Sequence, residues 1–324
     1  MDKSHALRRT FKRKEFSLII VLILVVIFFG ILTHGKFFKP LNIRNILNAM
    51  VIVTFLTIGE GMLIIYGNID LSAGTVGTLS AIVMAHSVMT FGLPWWVGIL
   101  MAVCMGLITG CISATLITRL HFQPFIATLA MKSVCEGLAD VFGNASAIKI
   151  ENKALSWIGN FKFANNVIPV AVIIALLFML IYGIILAKTK FGRMIYLCGG
   201  NRQAAFLTGI NPVKMCYVLF MNMGALAALA GCMLAARVSS ATVTGVNSNQ
   251  FSGVTAAILG GISFGGGSGG MIGAFIGLLL LNVFNNGMTL IGLDPYWQTV
   301  ASGVLLLVAL IIDYYNTRGT GKRS

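Results

Sequence analysis

The side chains in this sequence that could do chemistry are a few polar groups set within long apolar stretches. Glu60 lies inside one such stretch, and an ionisable group at membrane depth is a functional candidate by default. The adjoining segment contributes Asn68, Asp70 and Ser72 between two glycines. Polar, non-helical backbone at a membrane boundary must line water or be satisfied by protein. These four residues are candidates for a path or a gate, although Asp70 could instead cap the helix that follows.

Two further polar groups interrupt apolar runs. Asn282, Asn285 and Asn286 are additional candidates for the same path. Lys132 and Glu136 are four residues apart, with Asp140 one turn further on, so all three would share one helix face. We interpret this second group as a charge-compensated structural patch rather than a proton relay.

No set of residues suggests catalysis or metal binding. The glycine-rich stretch 260–270 lacks the lysine and hydroxyl spacing of a phosphate-binding loop. It is therefore predicted to be a tight reversal between helices. Histidines are not clustered, and the cysteines are interpreted as small buried hydrophobic residues. They are Cys104, Cys111, Cys135, Cys198, Cys216 and Cys232.

The composition explains what holds these groups. Of the 324 residues, 57% are hydrophobic and only 10% are charged, with a mean hydropathy of +0.92. A soluble domain with a polar exterior is excluded. The net charge of +14 falls in a few clusters without interleaved aromatic residues. Membrane topology accounts for these clusters better than nucleic-acid binding does.

Apolar runs of about 20 residues are long enough to cross the hydrocarbon. They predict an all-α integral membrane protein with a single transmembrane domain, 1–324. The eighth run is short and follows a polar stretch, so we expect a broken helix there. The ten predicted spans are 16–33, 45–66, 72–91, 94–118, 123–142, 166–187, 214–238, 250–264, 270–291 and 296–313.

Basic residues set the orientation. Fifteen Lys and Arg fall in segments that are cytoplasmic if the N-terminus is inside, and six fall in external segments. Both termini, 1–15 and 314–324, are therefore predicted to be cytoplasmic. The first apolar run lacks a small-residue cleavage site and is interpreted as a retained span rather than a signal peptide.

Two parts of the sequence have similar patterns. A Gly-x-x-x-Gly pair is followed by a Pro after a span end in each half, at Gly106 and Gly110 and again at Gly273 and Gly277. The two prolines fall on opposite sides of the predicted membrane. An inverted repeat relating spans 2–5 to spans 7–10 would give this pattern, although chance in a glycine-rich chain is an alternative.

Residues 188–213 form a long basic connection. Asn201 can cap a short helix over 202–208, which Gly209 and Pro212 would end. A structured helix outside the membrane suggests a docking surface, and a purely topogenic loop is the alternative.

Four stretches resemble the permease subunits of the ribose, xylose and galactose class of bacterial importers. The resemblance covers nearly the whole chain in the same order and spacing. The chain departs from the usual family pattern at Arg202 to Ala205, and at Gln250 and Ser252. The four stretches are 67–74 (GNIDLSAG), 123–129 (QPFIATL), 191–210 with its Gly-Gly-Asn, and 256–261 (AAILGG) running on to 285–287 (NNG).

The resemblance implies an inner-membrane subunit of an ATP-binding-cassette importer for a sugar or sugar-like solute. Its implied partners are a second permease subunit, a cytoplasmic ATPase that holds ATP and Mg²⁺, and a periplasmic solute-binding protein. No cofactor is implied in this chain. Residues 199–210 would correspond to the helix that fits a groove on the ATPase. The residues that would couple to it are Asn201, Arg202, Gln203, Ala204, Ala205, Leu207 and Gly209.

Two other classes remain open at this point. A secondary transporter or channel would work alone, whereas an importer subunit needs ATP and its partners. A membrane-embedded enzyme would need convergent catalytic groups, which the sequence does not offer. The solute itself is left open among pentoses, hexoses, nucleosides and sugar-derived signalling molecules.

Overall fold

The computed structural model describes residues 3–163 and 168–321, and helices account for most of them. The long helices are α1 (Lys3–Leu32), α2 (Pro40–Tyr66), α3 (Ala73–Met89), α4 (Trp95–Thr118), α5 (Pro124–Gly143), α7 (Val170–Lys188), α10 (Pro212–Val238), α12 (Met271–Leu290) and α13 (Pro295–Gly321). The shorter helices are α6 (Lys153–Asn160), α8 (Lys190–Gly200), α9 (Arg202–Leu207) and α11 (Gln250–Leu259).

Four two-residue strands complete the fold outside the bundle. Strand β1 (Ile148–Lys149) pairs with β4 (Ser240–Ala241), and β2 (Lys162–Phe163) pairs with β3 (Ile168–Pro169), both antiparallel. Neither these strands nor α6 and α8 were predicted from the sequence.

The prediction of an all-α membrane protein is confirmed. Each of the ten predicted spans coincides with a helix, and seven helices in the described residues are long and apolar enough to cross a membrane. The other three are exceptions of different kinds. Helix α3 is shorter than a standard span, α5 carries charges near its middle, and α11 has only 10 residues. The expected broken eighth span is thus α11, preceded by a turn of 3₁₀ helix (Asn247–Asn249).

Helices α2 and α10 contact each other at the centre of the bundle. Helix α2 is apolar on nearly all sides and almost wholly buried, which is expected of a helix that other helices surround. By contrast, α1 and α13 expose most of their apolar surface. The core is therefore built around α2 and α10, with α1, α5, α7 and α13 towards the outside.

The helix contacts repeat in the two halves of the chain. Helix α3 packs against α4, α5 and α10, and α11 packs against α12, α13 and α2. Exchanging α2 with α10, α3 with α11, α4 with α12 and α5 with α13 therefore reproduces the same set of contacts. This arrangement agrees with the predicted relation between spans 2–5 and 7–10.

The four glycines of the repeated pattern lie where helices touch backbone to backbone. A Cβ atom on Gly106 would come within 2.1 Å of the Gly224 carbonyl oxygen, and one on Gly110 within 2.3 Å of that of Phe220. The corresponding distances are 2.1 Å from Gly273 to the Gly260 oxygen and 2.3 Å from Gly277 to the Ala256 oxygen. Each site has room only for hydrogen, so these glycines are what lets the helix backbones approach so closely.

Substitution of Gly277 by leucine is expected to abolish most of the folded yield, because the new side chain would collide with the α11 backbone. The matched control is Leu279→Ile, two residues further along α12, where the side chain is only partly buried. The measurement is the monodisperse fraction in detergent by size-exclusion chromatography. Equal yields of the two variants would contradict the close α11–α12 contact.

Candidate functional site

Helices α3 and α11 both begin inside the bundle, and their first residues meet there. The Thr78 hydroxyl accepts a hydrogen bond from the Val246 N–H at 2.9 Å and donates one to the Asn247 side chain at 2.9 Å. The Gln250 side-chain amide donates to the Leu71 carbonyl oxygen. The α2–α3 loop (67–72) and the α10–α11 segment (239–249) therefore run into the bundle from its two ends.

The α2–α3 loop returns to the level of a buried acid on α2. The backbone N–H of Asp70 lies 3.4 Å from Oε2 of Glu60, although Glu60 precedes the end of α2 by six residues. Six helical residues rise about 9 Å. Helix α3 therefore starts well inside the bundle rather than at its surface.

We call Glu60, Asp70, Ser72 and Gln250 the polar centre. Its two acidic side chains, those of Glu60 and Asp70, are contacted by neutral groups. Oδ1 of Asp70 accepts the Ser72 N–H at 2.8 Å and the Ser72 hydroxyl at 2.5 Å. Oε1 of Glu60, which is 0% exposed, has no hydrogen-bond partner among the described residues. Neither acid forms an ion pair within those residues. Asp70 lies just before the start of α3, where a helix carries a partial positive charge.

The predicted path residues Glu60, Asn68, Asp70 and Ser72 thus lie close together, but they are buried within one subunit. Asp70 bonds Ser72, the residue just before α3, and not an N–H group of the first helical turn. The alternative prediction that Asp70 caps α3 is therefore wrong, because α3 has no side-chain cap among the described residues. The geometry identifies the polar centre as the point that fixes where α3 and α11 begin.

The other predicted path residues, on α12, lie elsewhere. Asn286 and Asn42 exchange two side-chain hydrogen bonds of 2.9 Å at the beginning of α2. Asn282 donates to the Leu278 carbonyl at 2.8 Å, and Asn285 accepts from Ser302 at 3.2 Å. The polar centre lies near the opposite end of α2. The three asparagines are therefore far from Glu60 and Asp70. Their side chains form hydrogen bonds locally, within α12 and with α2 and α13.

The connection between α7 and α10 contains two helices, which we call the α8–α9 segment. The predicted short helix is present as α9: Asn201 accepts the Ala204 N–H at 2.9 Å, and Gly209 (φ +84°) follows the end of the helix. Helix α8 was missed. Thr189 caps it, and the buried Ile195 and Cys198, three residues apart, were its sequence signal.

One of the residues of α9 that were predicted to face an ATPase is buried instead. Ala205 is only 2% exposed and packs within this chain, whereas Phe206 is 65% and Leu207 is 80% exposed. The predicted contact of Ala205 with an ATPase is therefore wrong, because α9 turns that side towards α8 and α10. Arg202, Gln203 and Ala204 are exposed as predicted.

The glycine-rich stretch forms the expected tight reversal and packs against the α8–α9 segment. Gly267 donates to the Ile65 carbonyl oxygen at 2.8 Å, and the Tyr196 hydroxyl donates to that of Gly269 at 2.7 Å. A Cβ atom on Gly199 would lie 1.8 Å from the same Ile65 oxygen. The α8–α9 segment, the end of α2 and this stretch therefore form one closely packed unit.

The polar residues of α5 lie on an open surface. Glu136 and Asp140 are exposed and Lys132 is half-buried, whereas the opposite side of α5 packs against α3. The predicted Lys132–Glu136 pairing is wrong, because the described residues contain no ion pair between them. Lys132 and Glu136 flank the middle of this 20-residue helix. A charge there costs about 3 kcal/mol when it faces lipid, so protein or water should cover it.

The fold is thus a multi-pass helical bundle in which the α8–α9 segment connects two of the long helices. A family model described as the permease component of a branched-chain amino acid transport system matches residues 42–310. The chain belongs to this family, and it is a multi-pass inner-membrane permease.

Curated relatives match over most of their length. The ribose import permease of Bacillus subtilis is 35% identical over 294 residues, which are 90% of each chain. The fructose import permease of Rhizobium meliloti is 31% identical over 303 residues, 92% of this chain and 84% of that one. The D-allose transport permease of Escherichia coli is 29% identical over 300 residues, 92% and 91% of the two chains. These matches agree with the resemblance drawn from the sequence.

Proposed function

We propose that this chain pairs with a second permease subunit, identical or closely related, to form the path of an ATP-driven importer for a sugar or sugar-like solute. The solute class follows from relatives that import ribose and fructose and transport D-allose. The observation that carries the proposal is the exposed polar face of α5 (Lys132, Glu136 and Asp140).

The path is placed on α5 because of where the polar groups point. A neutral, hydroxyl-rich solute needs donors and acceptors along its route, and the three side chains supply both. A second subunit opposite α5 would enclose them in a water-filled space. The polar centre, by contrast, is closed within one subunit and suits a role in positioning or gating.

ATP chemistry belongs to another chain in this proposal. The sequence lacks a phosphate-binding loop, so ATP and Mg²⁺ bind a cytoplasmic ATPase, and this chain carries no cofactor of its own. The exposed apolar residues of α9, Phe206 and Leu207, are the surface on which that ATPase rests. A periplasmic solute-binding protein delivers the solute, and nucleic acid has no part.

The proposed orientation places both termini and the α8–α9 segment in the cytoplasm and residues 144–165 in the periplasm. With the six native cysteines replaced, Lys153→Cys is expected to react with a membrane-impermeant maleimide in intact cells. Gln203→Cys and Ser324→Cys are expected to react only after permeabilisation. Labelling of Lys153→Cys and Ser324→Cys from the same side would contradict this topology.

The test of function is reconstitution into vesicles with a two-domain ATPase and a solute-binding protein. Uptake of labelled ribose, fructose or D-allose is expected only with all three components and ATP. A secondary transporter or channel would instead move solute when this chain is reconstituted alone, and that result would overturn the proposal.

A further inference from the structure

We propose that Arg202 is the positioning residue through which α9 controls the α2–α3 loop, and hence the start of α3. This inference rests on the proposed function, because it concerns how an ATPase seated on α9 would act on the spans. It assigns Arg202 a role directed into the bundle rather than towards the ATPase.

Two contacts hold the Arg202 side chain. Its Nη2 donates a hydrogen bond of 2.8 Å to Oδ1 of Asn68, and its guanidinium carbon lies 4.9 Å from the centre of the Tyr66 ring. A planar guanidinium can satisfy both contacts at once, which an ammonium group cannot do as well. Because Asn68 is buried, the contact reaches from an exposed helix into the bundle.

The receiving residues are themselves fixed to the core. The Asn68 amide lies 3.8 Å from the Cys216 sulfur on α10, and the Tyr66 hydroxyl donates to the Pro212 carbonyl oxygen at 2.8 Å. A displacement of Arg202 would therefore pull on the end of α2 and the start of α10 at the same time. Both positions border the α8–α9 segment.

From Asn68 the path to the polar centre is short. Asp70 lies two residues further on and bonds Ser72, which directly precedes α3. Leu71, between them, accepts the bond from Gln250 at the start of α11. A shift of Asn68 would thus reach the first residues of α3 and α11, where the two helices meet.

Arg202 is distinguished from the rest of α9 by this contact. Of the six residues of α9, all described, Arg202 alone places a side-chain polar atom on another element. A cation in the first turn is also repelled by the partial positive charge at the start of a helix, so Arg202 does not stabilise α9. Its position is therefore explained by Asn68 and Tyr66 and not by the stability of α9.

The test compares Arg202→Met, Arg202→Lys, Asn68→Leu and the double variant Arg202→Met with Asn68→Leu in the reconstituted importer. The control is Arg193→Met, which removes an exposed cation from α8. The readouts are retention of the ATPase and solute taken up per ATP hydrolysed.

Both single apolar variants are expected to keep the ATPase but to lower uptake per ATP about tenfold. The double variant should be no worse than either single one, because the two residues act through one contact. Arg202→Lys should restore only part of the ratio, and Arg193→Met should match the wild type.

Wild-type uptake per ATP in Arg202→Met and Asn68→Leu would overturn this inference while leaving the proposed function intact. Loss of the ATPase from Arg202→Met would also overturn it, since Arg202 would then be a docking residue. Wild-type uptake that needs no ATPase would remove the proposed function itself, and this inference with it.

Discussion

Replacing Glu136 with leucine is expected to lower ATP-driven solute uptake about tenfold or more, because a hydrogen bond to a charged group contributes roughly 1.5–3 kcal/mol. The folded yield should not fall. Glu136 is exposed in the single subunit and has no ion-pair partner among the described residues, so its removal leaves no buried group unsatisfied. The measurement is initial uptake in vesicles containing the ATPase and the binding protein.

The matched control is Val134→Ala, because Val134 is also exposed but lies on another side of α5. Its uptake should remain near that of the wild type. A second measurement separates water from lipid: Glu136→Cys should react with a small water-soluble thiol reagent in the assembled importer, whereas Val134→Cys should not. Full uptake by Glu136→Leu, or an unreactive Glu136→Cys, would place the path elsewhere.

The proposal for α5 reverses the sequence-based interpretation of its charges. Spacing of four residues shows that Lys132 and Glu136 share a helix face, but it does not show what that face meets. The buried side of α5 consists of small and apolar residues such as Ala127, Cys135 and Ala139, and this side determines how α5 rotates against α3. The charged side is left outward as a consequence of that packing.

Features set by local chemistry were predictable from the sequence. The cap at Asn201 and the exit at Gly209 depend on neighbouring residues alone, and both are present around α9. The glycine pairs at Gly106 and Gly273 also fit, because small residues at that spacing favour close helix packing in a membrane.

Features set by distant parts of the chain were not predictable. The meeting of α3 and α11 depends on two contacts, Val246 with Thr78 and Gln250 with Leu71, and the partners in each contact are about half the chain apart. From the sequence, Gln250 was only a departure from the family pattern. The burial of Ala205 likewise depends on how α9 rests on α8 and α10. A six-residue helix offers too few turns for its sequence to define a buried side.

The orientation of α9, with Leu207 exposed and Ala205 buried, predicts a second large effect on uptake. Leu207→Asp is expected to give a normally inserted subunit that neither retains its ATPase nor transports, because Leu207 is 80% exposed and would bring an unpaired charge into a protein interface. Such burial costs several kcal/mol. The measurements are size-exclusion chromatography in detergent, co-purification of the ATPase, and uptake.

Ala205→Glu should differ from Leu207→Asp in size-exclusion chromatography. Ala205 is buried within the chain and belongs to its main core, so the same kind of charge would destabilise the α8–α9 segment before any partner binds. We expect reduced folded yield for Ala205→Glu, normal yield for Leu207→Asp, and wild-type behaviour for Leu207→Ile. If Leu207→Asp kept both its ATPase and its uptake, the exposed face of α9 would not be the docking surface. A secondary transporter that works without an ATPase would then become the better hypothesis, because no ATPase would act through α9.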